Sequence, residues 1–77
     1  MSPNDKLESQ ARLLEQVGAE LEAAASHAKT AALHFRSKEV PRACAHSLAS
    51  EGHLLAAREI LDEVKKAHRL SARTGIE

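Results

Sequence analysis

FRSKEVPRA, residues 35–43, interrupts a pattern that otherwise reads as helix from one end of the chain to the other. Ser37 can cap a new helix, and Pro41, with no N–H and a fixed φ, is tolerated only near a helix start. The turn is therefore predicted at Ser37 to Val40. On the N-terminal side, Ser2 reads as an N-cap, Pro3 as the first helical residue and Asp5 as a first-turn acid, so a helix is expected over about 3–36. On the other side a second helix is expected over about 41–72, closed by Gly75 as a C-cap. At about 1.5 Å per residue each would be roughly 50 Å long, and a link this short makes them antiparallel. The predicted fold class is all-α, a two-helix hairpin forming a single domain over 1–77.

A chain of 77 residues carries a marginal core unless a disulfide, a metal or oligomerisation assists it. Cys44 is the only cysteine, which excludes an intrachain disulfide and fits a reducing, cytoplasmic setting. The hydrophobic fraction of 43% includes fifteen alanines and ten leucines but one phenylalanine and no tryptophan or tyrosine, so the core is thin. No apolar run approaches the roughly 20 residues of a membrane span, and the N-terminus has acids where a signal peptide would be basic and then apolar. Eleven basic and eleven acidic residues balance to zero formal charge, which argues against a nucleic-acid partner. The run Lys65, Lys66, His68, Arg69 and Arg73 has Asp62 and Glu63 beside it and no aromatic residue to stack a base, so it reads as a solvated helix end.

Leu7, Leu14, Leu21, Ala28 and Phe35 recur every seven residues, with Ala11, Gly18, Ala25 and Ala32 four after each of the first four. That is a coiled-coil-like series, and it is the expected seam of the first helix. In the second helix the inward stripe is His46, His53, Ile60 and Ala67, flanked by Ala49, Ala57 and Val64. Leu48 and Leu55, with Cys44 one turn before Leu48, point about 160° away from His46 and cannot serve that seam. They are the candidate contact with another chain, because a two-helix hairpin cannot enclose a core by itself. Dimerisation into a four-helix bundle is the economical solution, and a docked partner protein is the alternative.

The frame of two histidines seven apart occurs twice, in HAKTAALH at 27–34 and HSLASEGH at 46–53. Each pair occupies one helical stripe. Folding the chain about residue 40 sets His27 against His53, His34 against His46 and Thr30 against Ser50, with Ala24 opposite Ala56 and Ala31 opposite Ala49. One reading is a ladder of polar layers that fixes the register of two alanine-rich helices. The other is a transition-metal site, zinc, copper or nickel, built from His27, His34, His46 and His53. Layers seven residues apart are about 10.5 Å apart, so the four cannot share one ion, and each layer supplies two ligands where structural zinc takes four. A homodimer that doubled each layer would make up the shortfall.

Enzymatic chemistry has little to build on. His46 lies about 200° round the helix from Cys44 and cannot activate it, and no nucleophile, base and oxyanion donor come into plausible reach. The sequence thus favours a non-enzymatic helical module that self-associates or docks on a partner protein through alanine, leucine and histidine faces. A histidine-based metal protein is the alternative.

Overall fold

The computed structural model describes residues 3–74, with side chains over 4–68; the Ser2 and Gly75 caps lie outside the described residues. Helix α1 spans Pro3–Arg36 and α2 spans Val40–Thr74, and no strand occurs among the described residues. The hairpin measures 55 × 19 × 14 Å. It is two helices wide and one helix thick, so its two broad sides are open.

The link is shorter than the sequence suggests, and α2 begins at Val40. Pro41 is its second residue, where no helical N–H partner is lost. Two hydrogen bonds close the end of α1 as a Schellman motif: Glu39 N–H donates to the His34 carbonyl at 2.8 Å, and Lys38 N–H to that of Phe35 at 3.0 Å. The Glu39 carbonyl then accepts from Ala43 N–H at 3.0 Å and starts α2. Lys38 sits in the left-handed region at φ 62°, which costs a side chain about 1–2 kcal/mol. Lys38→Gly should therefore raise stability by about 1 kcal/mol, read as a melting temperature higher by about 4–8 °C. An unchanged or lower value would contradict this description of the turn.

Inward positions follow two interleaved seven-residue series on each helix. On α1 they are Gln10, Leu13, Val17, Glu20, Ala24, His27, Ala31 and His34, and on α2 Ala43, His46, Ser50, His53, Ala57, Ile60, Val64 and Ala67. The α2 stripe is the one expected from sequence. On α1 the seam is displaced by one residue, about 100° round the helix, from the expected series. Leu7, Leu14, Leu21 and Phe35 are 68%, 48%, 46% and 51% exposed, and Ala11, Ala25 and Ala28 are exposed with them. Polar pairing accounts for the rotation. A leucine seam on α1 would leave the inward imidazoles of α2 unpaired, at about 1–3 kcal/mol each, whereas the observed face brings His27 and Glu20 to them.

The fold point also lies earlier than residue 40. Three side-chain pairs fix the register: His34 with Glu39, His27 with His46, and Glu20 with His53. Ser50, expected opposite Thr30, instead donates from Oγ to the Ala24 carbonyl at 2.8 Å. Continuing this register sets Leu13 level with Ile60, Val17 with Ala57, and Ala31 with Ala43 in place of the expected Ala49. The cause is the tight turn, which centres the hairpin on Arg36 and Ser37. Since the new register differs by one seven-residue repeat, a histidine still meets a histidine.

Gln10 stands level with Val64, and its Oε1 is buried with no hydrogen-bond partner among the described residues. Such an atom carries a desolvation cost of about 1–3 kcal/mol. Gln10→Leu should therefore stabilise the chain by about 1 kcal/mol or more, seen as a higher urea midpoint with an unchanged slope. A lower midpoint would show that the side chain has a partner.

Candidate functional site

Two features of the hairpin carry chemistry. The first is a line of six polar side chains in the half of the seam nearest the turn. Nδ1 of His34 donates to Oε2 of Glu39 at 2.7 Å, and Nδ1 of His53 to Oε2 of Glu20 at 3.3 Å. Between them the Nδ1 atoms of His27 and His46 lie 2.9 Å apart, so one ring donates and the other accepts. The rings are also neighbours in space: His34 and His46 at 5.3 Å between centroids, His46 and His27 at 5.2 Å, His27 and His53 at 5.5 Å. All four imidazoles therefore form one row along the seam, ended by a carboxylate at each extremity. The expected pairings of His27 with His53 and of His34 with His46 appear as ring stacking, while the hydrogen bonds take other partners.

Each carboxylate accepts only, so it holds a proton on Nδ1 of its histidine and fixes that ring's tautomer. The His34 hydrogen bond holds the Glu39 carboxyl below its ordinary value of 4.5; desolvation opposes this in part, and the charges of Arg42 and His34 add to the lowering. Arg42 Nη1 lies 3.5 Å from Glu39 Oε1. The sequence singled out all four histidines but neither glutamate. Their signal was available only once the register was known: Glu20 continues the seven-residue series of His27 and His34, and Glu39 that of His46 and His53.

The arrangement fits a metal poorly. Among the described residues no three histidine, cysteine, aspartate or glutamate side chains converge as a metal-binding group would require. The hydrogen bonds of the row take up Nδ1, so Nε2 is the ring nitrogen left for a ligand role, and each layer offers two of them where a structural zinc takes four.

The second feature is the uncovered leucine face. In an antiparallel pair, equivalent positions of the two helices fall on the same side of the seam. The positions just after the inward histidine series are Leu7, Leu14, Leu21, Ala28 and Phe35 on α1, and Val40, Ser47, Leu54, Leu61 and His68 on α2. They share one broad side, and all are exposed. The register sets Leu14 beside Leu61, Leu21 beside Leu54 and Phe35 beside Val40. The opposite side bears half-buried small or polar groups, Ala23, Thr30, Ala49 and Ala56. Ala11, Gly18, Ala25 and Ala32 border the leucine row on α1 as a row of small residues.

Leu48 and Leu55, 69% and 60% exposed, lie further round α2 at the outer edge of this face. Cys44 is exposed and sits between the two leucine rows of α2. Lys65 and Lys66 are engaged by Asp62 at 3.5 Å and Glu63 at 3.6 Å, as suits a solvated helix end. No helix among the described residues is long and apolar enough to cross a membrane. Compared with family models, characterised proteins and solved structures, the chain matches none.

Proposed function

We propose that this chain is a non-enzymatic assembly module that completes a four-helix bundle by docking its leucine face on another pair of helices. The observation that carries the reading is the exposed row Leu7, Leu14, Leu21 and Phe35, with Leu54 and Leu61 alongside, on a layer one helix thick. Among the described residues the fully buried hydrophobic side chains of the hairpin are Val17, Ala24, Ala31, Ala43, Ala57 and Val64. Side chains so small supply little of the roughly 25 cal/mol per Å² that burial provides, while the larger ones face outward. A face of this kind, with an apolar seven-residue repeat along α1 and Leu54 and Leu61 beside it on α2, suits the surface of a bundle layer.

The histidine row serves this function as a register device. Nδ1 pairs, carboxylate ends and the Ser50 bond to Ala24 fix how two alanine-rich helices align, and so fix which leucines share a rung. Metal binding has less support as a reading. A dimer that doubled each histidine layer would supply the missing ligands, but the histidines lie inside the hairpin seam, away from the leucine face on which the partner docks.

Light-scattering mass of three proteins tests the reading. The wild type should exceed a monomer, Leu14→Lys should approach one, and Leu33→Lys, at an exposed leucine on the far side of α1, should match the wild type. Equal behaviour of the two lysine variants would overturn it.

A further inference from the structure

We infer that the occupant of the leucine face is a second copy of this chain, with α1 laid antiparallel on α1 of the other copy about a two-fold axis at Leu21 and Glu22. The inference rests on the docking reading and adds the partner and its orientation.

Charge complementarity is the first argument. At the outer edge of α1, beside the leucine row, runs a further seven-residue series: Glu8, Glu15, Glu22, Lys29, Arg36. It is acidic in its first half and basic in its second. Antiparallel juxtaposition about Leu21 brings Glu8 to Arg36 and Glu15 to Lys29, each twice by symmetry, and on α2 it brings Glu51 to Arg58. Glu22 alone meets its own copy. Turning the second chain about an axis parallel to the helices instead sets α1 on α2, where Glu15 faces Asp62 and Lys29 faces Leu48. Like charges and an unpaired charge disfavour that alternative.

The second argument is shape. With Leu21 on the axis, Leu14 stands opposite Ala28 and Leu7 opposite Phe35, while Gly18 meets Ala25 and Ala11 meets Ala32. Leu14 on Ala28 sets a large residue against a small one, and the small pairs Gly18–Ala25 and Ala11–Ala32 beside the row let the two helices approach. Packing of α1 on α2 does not require glycine at position 18, since a Cβ there would meet nothing within 4 Å. In mid-helix a glycine costs about 1 kcal/mol against alanine, and a close approach of a second helix near the axis supplies a reason for it. The zero formal net charge leaves no long-range repulsion between copies.

Charge exchange at one pair tests the orientation. Dimer dissociation constants of the full chain would be measured by sedimentation for Glu15→Lys, Lys29→Glu and the double variant, with circular dichroism to confirm that each stays helical. Each single reversal should weaken the dimer about tenfold at low salt, and the double variant should return to within about threefold of the wild type. A wild-type dimer whose double variant is as weak as the sum of the singles overturns this orientation and leaves the docking reading standing. A wild-type chain that stays monomeric, with Leu14→Lys indistinguishable from it, overturns both.

Discussion

Leu21→Asp is expected to weaken self-association by a hundredfold or more and to lower the melting temperature with it, although Leu21 is exposed in the hairpin. A buried leucine side chain contributes about 1.5–3 kcal/mol, two copies lose one each, and the new carboxylates face each other near the axis. On an isolated hairpin the same change would be a surface substitution worth less than about 0.5 kcal/mol. A large effect at an exposed residue therefore reports the partner. Ala24→Asp provides the contrast: this buried residue would place an unpaired charge in the seam, next to the carbonyl that Ser50 holds. It should unfold the chain at any concentration, because the loss is comparable to total stabilities of about 0.05–0.15 kcal/mol per residue. If Leu21→Asp is silent by both melting and mass, the leucine face has no partner.

His46→Leu is expected to destabilise the hairpin by about 1–3 kcal/mol, because it leaves the His27 ring without its partner in the seam. The Nδ1 atoms of His27 and His46 lie 2.9 Å apart, so one ring must donate and the other accept. His46→Gln keeps a donor and an acceptor and should cost well under half as much, read as urea midpoints of the two variants at neutral pH. Equal losses in the two variants would contradict the ladder. The Glu39 carboxyl, held below 4.5 by its bond to His34, adds a loss in acid: its contribution is present above that value and disappears as pH falls through its lower folded value.

Much of the architecture is legible in the residue order. Pro41 and Ser37 mark the break, and the unbroken helical pattern on either side leaves no fold but a hairpin. The stripe His46, His53, Ile60, Ala67 is legible because Ala57 and Val64 flank it and Leu48 and Leu55 lie well round the helix, although Leu54 and Leu61 stand one position after it. On α1 the leucine series and the inward series are adjacent, and side-chain size favours the wrong one. Which face turns inward is decided by the partner helix: Glu20, His27 and His34 satisfy groups on α2, and leucines would not. The register was obscure for a related reason. Lys38 gives no warning that it will enter the left-handed region, where glycine or asparagine would have, so the tightness of the turn and the early fold point were hidden.

The central claim is that the leucine series, outward on the hairpin, is covered by a second copy. Sedimentation equilibrium of the wild-type chain at micromolar concentration and neutral pH tests it most directly. The expected mass is twice that of the 8.3 kDa chain. A cooperatively folded species of 8.3 kDa across the whole concentration range would contradict it.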